Sequence, residues 1–412
     1  MRISYNIPLG WEFSELRTLA EEKKGSIRIG PFGSALKKNE YSQAGIGVLG
    51  IEHVHINEFR WKTPKYIPKK KYQELTQYTV NEGDVLVTNM GTVGRTCVVP
   101  KGIEKSIISS HLIKVTLDKN KCLPKYLSYA LNNSKLVKAQ IKAKCHGAIM
   151  AGFNSTLLKE LKIPLPPLPT QKKIAAILDE ADRLRQLNQQ VLDKYDALSQ
   201  SVFLEMFGDP VVNPKGWEVK KMQEVCIKIT DGTHHSPDPQ TEGFPYVTAK
   251  HVKQSGLNFY AKPTFVSKEA HDEIYKRCTP EFGDVLYIKD GATTGIACIN
   301  TFKEPISMLS SLALLKLNKN ELNSFYLCFW LNHKGVKAKL INEFMSGAAI
   351  KRYTLKKINS FKVLVPPIDL QTQFSTHIHA IEAQKSQAQA ALAKSEDLFN
   401  SLLQRAFKGE LV

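Results

Sequence analysis

The pattern of apolar and polar positions changes character at two Pro-Pro pairs, Pro166-Pro167 and Pro366-Pro367. Each pair is followed by a stretch of 38 residues, 170–207 and 371–408, that contains neither Gly nor Pro. Both stretches are dominated by Ala, Leu, Gln, Lys, Glu and Asp, most of which favour helix. We therefore predict two long helices, each spanning roughly 57 Å at ~1.5 Å per residue.

Apolar side chains in the two predicted helices recur at the spacing expected of helices that pack on one another. In the first helix they follow alternating steps of three and four residues, which indicates a coiled-coil seam with an Asn at one interior position. In the second helix they form a wider, Ala-rich stripe that can also pack on a partner. The predicted seam positions are Ile174, Ile177, Leu184, Asn188, Val191, Leu198, Ile378, Ile381, Leu398 and Leu402.

The segments that precede the Pro-Pro pairs have a different pattern. Short β-branched or aromatic runs, such as GDVLVT and GDVLYI, alternate with Gly, Asn and Asp, which is typical of strands and turns. Some helix is mixed in, for instance around Tyr126 and Leu127. We predict an α+β fold with four parts: a globule at 1–165, a hinge and helix at 166–209, a globule at 210–365, and a hinge and helix at 366–412.

The second half of the chain repeats the first with a period of about 200 residues. Gly83-Asp84-Val85-Leu86 aligns with Gly283-Asp284-Val285-Leu286, and Gln171 aligns with Gln371. A period of this length indicates a duplicated domain and not a stack of short repeats. The prolines separate globule from helix, because Pro lacks the amide donor that either ladder needs. PLPPLP also admits an interpretation as an SH3-type ligand, although its counterpart VPPID lacks the PxxP spacing.

The positive charge of the chain, +18 in total, is unevenly placed. The two globular segments carry +13 and +8, whereas the two hinge-helix segments carry −2 and −1. Helices that bound phosphate directly would be expected to carry a basic stripe. This distribution of charge favours two basic globules that read DNA and are held apart by the two helices. The alternative interpretation is a generally basic, solvated protein surface.

The opening residues and the cysteines restrict the class of protein further. The start MRISYNIPLGWEF has no apolar segment of a signal peptide, and no run of eighteen apolar residues occurs in the chain, so we expect a cytoplasmic location. The seven cysteines are scattered without a CxxC pair. This argues against a disulfide framework and against a structural zinc site, and we expect no metal.

Motifs of catalysis are missing from the sequence. GIGVLG matches GxGxxG formally, but IEHVHINEFRW follows it and not a helix. There is no P-loop, no HExxH, no GxSxG, and no Asn/Asp/Ser-Pro-Pro-aromatic tetrapeptide of the kind amino-methyltransferases use. We expect no catalytic residue and no bound cofactor. His234-His235 suits a polar DNA-contacting loop better than a metal site, because a third ligand is missing.

Two Gly-rich turns, TNMGTVGRT (88–96) and KDGATTGIA (289–297), follow the GDVL strands at equivalent places. Small and polar residues there would allow the backbone to approach DNA closely, although ordinary hairpin turns have the same composition. The candidate DNA contacts in and beside the polar motifs are Ser34, Lys37, Lys38, His53, Asn89, Thr92, Arg95, Thr233, His234, His235, Lys250, His251, Lys289, Thr293, Thr294, Lys351 and Arg352.

The chain resembles the specificity subunit of type I restriction-modification systems. The resemblance covers essentially all 412 residues and is carried by the globule-hinge-helix order, by GPFGSALKK, GDVLVTNMGTVG and TDGTHHSP, and most specifically by PLPPLPTQKKIAAILDEAD. In that family, two target recognition domains each read half of a split target. For the two long helices of this chain, the resemblance implies that they pair antiparallel as a coiled coil, in a pseudo-two-fold arrangement.

The resemblance also implies partners. The helices of the family dock two methyltransferase subunits, which modify adenine at N6, and restriction subunits join outside them. S-adenosylmethionine, ATP and Mg are expected on these partner subunits and not on this chain. Two other functions stay open from the residues alone: an autonomous DNA-modifying enzyme, and an architectural protein that binds DNA without sequence preference.

Overall fold

The computed structural model describes residues 7–145, 153–345 and 352–411. The chain divides into two compact units, the first formed by Met1–Gln189 with Ala391–Val412 and the second by Gln190–Ala390. Each unit contains one globule and a portion of both long helices.

The first globule is followed by the first long helix. Its strands and helices are β1 (Glu12–Glu15), α1 (Leu16–Leu19), β2 (Ile27–Ile29), β3 (Ile46–Leu49), β4 (Val54–His55), β5 (Glu58–Phe59), β6 (Lys65–Ile67), α2 (Lys69–Glu74), β7 (Val85–Thr88), β8 (Thr96–Val98), β9 (Ser106–Ile108), β10 (Leu112–Val115), α3 (Pro124–Asn133), α4 (Lys135–Cys145), α5 (Ser155–Lys159), β11 (Lys162–Leu165) and α6 (Leu168–Phe207).

The second globule repeats this order closely. Its strands and helices are β12 (Glu218–Lys221), α7 (Met222–Val225), β13 (Cys226–Asp231), β14 (Phe244–Val247), β15 (Val252–Lys253), β16 (Gly256–Leu257), β17 (Phe265–Val266), α8 (Lys268–Arg277), β18 (Val285–Ile288), β19 (Ala297–Ile299), β20 (Ser307–Met308), β21 (Leu312–Leu317), α9 (Ser324–Asn332), α10 (Lys334–Met345), α11 (Leu355–Asn359), β22 (Lys362–Val365) and α12 (Ile368–Lys408).

The predicted α+β class, with two tandem globules and two long helices, is confirmed. Helix α6 begins two residues before the predicted start at 170, and α12 begins three residues before 371. Both begin directly after the Pro-Pro pairs, because Pro disfavours helix in the residue before it and is tolerated in a first helical turn.

Each globule contains a four-stranded antiparallel sheet with the same topology. The strand order is β2-β10-β7-β8 in the first globule and β13-β21-β18-β19 in the second. A three-stranded sheet lies beside each, in the orders β6-β3-β9 and β17-β14-β20, with one parallel pair in each. The first and last strands of each globule also pair, since Glu12 lies opposite Leu165 and Glu218 lies opposite Val365. The ends of each globule are therefore tied together.

The repeated GDVL sequence has a local structural reason. Gly83 and Gly283 adopt positive φ angles of 86° and 89°, which L side chains rarely tolerate. In the same turns, the carboxylates of Asp84 and Asp284 accept backbone N–H bonds of 2.8 Å from Asn81 and Glu281. The Gly-Asp pair thus forms the turn that begins β7 and β18, and burial raises the pKa of both aspartates.

The hinge glutamines connect helix to globule. Gln171 is fully buried, and its side chain accepts the N–H of Leu123 at 2.9 Å and donates to the carbonyls of Lys121 and Pro166. The Leu123 N–H and the Lys121 carbonyl belong to the turn before α3, and the Pro166 carbonyl belongs to the Pro-Pro pair. The side-chain amide of Gln171 therefore joins that turn, the Pro-Pro pair and helix α6. Gln371 makes the corresponding bonds in the second unit.

Within each unit, the portions of α6 and α12 run antiparallel. In the first unit, Asn188 donates to the carbonyl of Ala391 at 3.3 Å, and the Arg185 guanidinium lies 5.4 Å from the ring centroid of Phe399. In the second unit, Lys385 pairs with Asp196 at 2.6 Å. The ring of Phe203, further along α6, lies 5.6 Å from that of Phe374, at the start of α12.

The predicted helix seam is wrong at half of its positions. Ile174 and Ile378 are buried, and Asn188, Ile381 and Leu402 are partly buried. Five others have 37 to 46% of their residue surface exposed: Ile177, Leu184, Val191, Leu198 and Leu398.

The reason for the error is that α6 carries apolar residues on two faces. Leu178, Leu192 and Ser199 are buried, and each directly follows one of the exposed positions in the sequence. Counted from Ile174, the buried face of α6 therefore advances by four residues and then by three, in alternation. The prediction followed steps of three and then four residues, which trace the more apolar face of α6. In the structure that face is exposed.

Candidate nucleic-acid interface

In the first globule, two of the predicted DNA-contacting segments meet at one edge of the four-stranded sheet. Strand β10 runs antiparallel to both β2 and β7, so its beginning lies beside the ends of both neighbours. Backbone bonds join the three segments there: Gly30 N–H donates to Leu112 at 3.0 Å, and Asn89 N–H donates to His111 at 3.1 Å. The GPFGSALKK loop and the Gly-rich turn at 88–96 therefore flank the turn at 109–111.

The second globule has the same edge. Thr233 N–H donates to the Met308 carbonyl at 2.9 Å, and Lys289 N–H donates to the Ser311 carbonyl at 2.9 Å. The TDGTHHSP loop and the turn at 289–297 thus flank the turn at 309–311. We call these two places the first and second loop edges: residues 30–38, 88–96 and 109–111, and residues 232–237, 289–297 and 309–311.

Glycine is required where each loop leaves the sheet. A Cβ on Gly30 would overlap the carbonyl of Ser109, and a Cβ on Gly232 would overlap the carbonyl of Met308. The backbones therefore cross in direct contact, and the polar loops that follow are anchored at their first residue.

Several predicted contact residues are accessible, and all of them except Lys250 lie on a loop edge or, as Arg352 does, beside one. In the first globule, Ser34, Lys37, Lys38 and Arg95 are exposed and Thr92 is half-buried. The exposed residues of the second globule are His234, His235, Lys250, Thr293 and Arg352, and Arg352 forms a backbone bridge with Asp290 in the Gly-rich turn. Lys351 lies outside the described residues.

The prediction of DNA contact is wrong for His53 and His251, which are fully buried. Nδ1 of His53 accepts the Gly50 N–H at 3.0 Å and its Nε2 lies 2.9 Å from the Lys62 carbonyl. His251 makes the matching bonds to Thr248 and Lys262 at the same distances. Both rings thus brace a turn from inside, and burial lowers the pKa of His251.

Four further predicted residues have their side chains engaged within the protein. Asn89 is buried, and its Nδ2 donates to the Ser110 carbonyl at 3.1 Å. Thr294 is buried and donates to Gly291 at 2.6 Å, while the half-buried Thr233 donates to His235 at 3.0 Å. Lys289 forms an ion pair of 3.2 Å with Asp231 and is mostly buried. Free side-chain contact with DNA is therefore contradicted for Asn89, Thr294 and Lys289, which order the turns that carry the exposed residues.

Two accessible residues at these edges were missed by sequence reasoning. His111 is exposed on the 109–111 turn. Arg277 ends helix α8 and is bonded to Asp231 beside the TDGTHHSP loop. Neither lies in a Gly-rich motif, so only the strand pairing brings them to the loop edges.

The described residues hold no group of three or more His, Cys, Asp or Glu that could bind a metal ion. Six cysteines in this part of the chain are free thiols, and five of these are buried. None of the described helices is both long and apolar enough to cross a membrane.

Comparison with known proteins gives one family. The family model of the type I restriction modification DNA specificity domain matches residues 8–194 and again residues 214–392. A Methanocaldococcus jannaschii protein named as the MjaX type I restriction enzyme specificity subunit is 26% identical, over 91% of this chain and 88% of its own. The specificity subunit of Escherichia coli EcoKI is 22% identical over 68% of this chain and 64% of its own.

Solved structures agree on the fold. The type I restriction-modification system S subunit from M. genitalium has a TM-score of 0.56 at 17% identity and covers 99% of this chain and 98% of its own. A chain from a structure of type I R-M complex assembly and conformational transition has a TM-score of 0.54 at 19% identity and covers 99% of this chain and 100% of its own. With the family model matching both halves, the chain belongs to the specificity subunits of type I restriction-modification systems.

Proposed function

We propose that this specificity subunit reads a split DNA target, with one globule contacting each half-site through its loop edge. The observation that carries the proposal is the presence of the same edge in both globules, built from corresponding strands, with an exposed arginine on it or beside it: Arg95 lies on the first loop edge, and Arg352 pairs with Asp290 of the second. Exposed Lys and Arg supply phosphate contacts, and the polar loop residues beside them supply donors and acceptors for base edges.

In this proposal, residues 1–165 and 210–365 are the two target recognition domains. Residues 166–209 and 366–412 are the hinges and spacer helices. The pairing of first and last strands in each globule supports these boundaries, as do the buried bonds of Gln171 and Gln371 at each hinge. A recognition domain closed on itself in this way can change its target without rebuilding the helices.

The chemistry of the complex is assigned to partner subunits. Specificity subunits are not themselves catalytic, and the chain has no methyltransferase tetrapeptide and no P-loop. We assign adenine N6 methylation and S-adenosylmethionine binding to two methyltransferase subunits. ATP, Mg and DNA cleavage are assigned to restriction subunits.

The uncovered apolar face of α6 is the proposed docking surface for a methyltransferase subunit. Ile177, Leu184, Val191 and Leu198 are spaced seven residues apart, and each has 37 to 46% of its surface exposed. Seven residues are nearly two helical turns, so the four side chains form one stripe. A stripe of this kind suits an additional helix from a partner.

Exchange of one recognition domain tests the proposal. A chimaera in which residues 210–365 are replaced by the corresponding segment of a relative with a known target is co-expressed with the methyltransferase subunit. Mapping of methylated adenines is expected to show one half-site replaced and the other kept. A change in both half-sites would contradict the assignment of one globule to one half-site.

Two binding measurements separate the alternatives. Binding of S-adenosylmethionine by the purified chain alone would favour an autonomous enzyme. Equal competition by random duplex and by the mapped target would favour an architectural DNA-binding protein.

A further inference from the structure

One buried carboxylate in the second globule organises three basic side chains. Asp231, the last residue of β13, is 3% exposed. Its Oδ1 accepts an Nη2–H of Arg277 at 2.7 Å, and its Oδ2 lies 3.2 Å from Nζ of Lys289. The same Oδ2 is 3.5 Å from Nε2 of His234. These residues come from β13, from the end of α8, from the Gly-rich turn and from the TDGTHHSP loop.

The charges around Asp231 do not cancel. One carboxylate faces two permanent cations, so the group carries a net positive charge even with His234 neutral. The side chain of Lys289 is only 12% exposed, whereas those of Arg277 and His234 are 54% and 55% exposed. Lys289 therefore balances the carboxylate inside, and the excess positive charge of Arg277 is presented to solvent.

A purely structural role explains this arrangement poorly. In the first globule, the last residue of β2 is Ile29, which lies opposite Ile113, just as Asp231 lies opposite Ala313. The same strand end is thus built there without any buried charge. Burying an aspartate with two cations costs desolvation energy that an apolar residue avoids, so stability alone does not favour it.

We propose that Arg277 and His234 form an anion-binding site for a phosphate of the DNA backbone at the second half-site, with Asp231 as the residue that positions them. The site rests on the proposed function, because DNA is the polyanion that the second loop edge would meet. A guanidinium that gives one N–H to a carboxylate keeps further N–H donors in a fixed plane for a phosphate oxygen. Its orientation is set before DNA arrives, which reduces the side-chain entropy lost on binding.

The site predicts a difference between the two half-sites. The first globule has Ile29 and Asn89 at the places of Asp231 and Lys289, so its described residues hold no equivalent of this charge group there. Phosphate contact at this position therefore belongs to the second recognition domain alone.

The first test removes the guanidinium in the complex of this chain with its methyltransferase subunits. Arg277→Ala is compared with Lys276→Ala, which removes the same charge from an exposed neighbour on α8. The salt slope is the slope of the logarithm of the DNA-binding constant plotted against the logarithm of the salt concentration. Loss of one phosphate contact is expected to make this slope shallower by about 0.9 and to weaken binding roughly fivefold near physiological salt. Lys276→Ala is expected to leave the slope unchanged.

Phosphate contacts form on random duplex as well as on the target, so the slope is measured on both. A wild-type complex that failed to prefer its mapped target would contradict the proposed function, while the slope on random duplex would still report the anion site. An unchanged slope for Arg277→Ala would overturn the site. Relaxed preference for one base in the second half-site would assign Arg277 to base reading and overturn the phosphate assignment.

The second test concerns the positioning role. Asp231→Asn removes a negative charge, which by net charge alone should strengthen DNA binding. The proposal predicts weaker binding, because the guanidinium loses its anchor. Asp231→Glu keeps the charge, displaces the carboxylate and is expected to weaken binding too. Tighter binding by folded Asp231→Asn, or wild-type affinity of Asp231→Glu, would overturn positioning, and thermal unfolding identifies any variant that does not fold.

Discussion

Gln171 and Gln371 lie two hundred residues apart and make the same three side-chain hydrogen bonds, each within its own unit. Each accepts one backbone N–H and donates to two carbonyls, one of which belongs to the first proline of the preceding Pro-Pro pair. The repeated hinge is therefore a repeated junction, in which a buried amide fixes where the helix leaves the globule.

Removal of either amide is expected to destabilise its unit. Gln171→Ala and Gln371→Ala each leave a partly buried N–H and two carbonyls without their side-chain partner, which should cost about 2 to 4 kcal/mol in the free energy of unfolding. Gln373→Ala, on an exposed position of the same helix, serves as the control. Urea titration measures the difference, and equal stability of Gln371→Ala and Gln373→Ala would contradict a fixed junction.

Sequence alone was sufficient for the large elements and insufficient for their faces. The two helices could be predicted because 38 residues without Gly or Pro leave few alternatives. The seam could not, because α6 has apolar residues on two faces and only the three-dimensional packing decides that Leu178 is buried while Ile177 is exposed.

The same limit applies to the candidate interface. Glycine-rich motifs led to loops that lie at one sheet edge in each globule, but His53 and Lys289, whose residue types suit DNA contact, have side chains engaged inside the protein. Asp231 and Arg277 are 46 residues apart, and nothing in their local sequence indicates that they meet. Strand pairing, which a single sequence does not reveal, brings them together.

Acid is expected to destabilise the second unit through His251. In the fold, Nδ1 of His251 accepts the Thr248 N–H. Protonation of Nδ1 would remove this acceptor and place two N–H groups against each other. Burial lowers the pKa of His251 below its usual 6.5. The unfolded chain therefore binds this proton first, and the contribution of His251 is complete above pH 6.5 and declines as the pH falls towards the folded pKa.

The loss from one proton is at most ~1.4 kcal/mol per pH unit. Urea unfolding from pH 8 to pH 5 is compared between the wild type and His251→Gln, which keeps a donor and does not titrate. The wild type should lose more stability below pH 6.5 than the variant does. Parallel curves would show that His251 does not titrate differently in the two states.

Arg95 is expected to contact DNA at the first half-site only. Arg95→Ala should shift the log-log salt slope by about 0.9 and leave methylation specificity at the second half-site unchanged. Asn89→Ala provides a comparison, because the buried amide should affect the stability of the turn and not the salt slope. Wild-type binding by Arg95→Ala would reduce the turn at 88–96 to a hairpin without a DNA contact.

Docking of a methyltransferase subunit is expected to depend on the uncovered face of α6. Val191→Lys places a charge in the apolar stripe, whereas Gln190→Lys places the same charge on the exposed neighbouring position. Burying an unpaired charge in an interface is costly, so Val191→Lys should weaken association at least tenfold while Gln190→Lys does not. Analytical ultracentrifugation of the mixed subunits measures this, and equal association of both variants would remove the stripe as a docking surface.

Genome-wide mapping of N6-methyladenine tests the central claim most directly. The chain is expressed together with its methyltransferase subunit in a host that lacks other adenine methylation. Two loop edges on two globules predict one split motif, with two specific half-sites separated by a spacer of fixed length and unspecified sequence. A continuous motif, or methylation that requires only one half-site, would contradict the account of one reader in each globule.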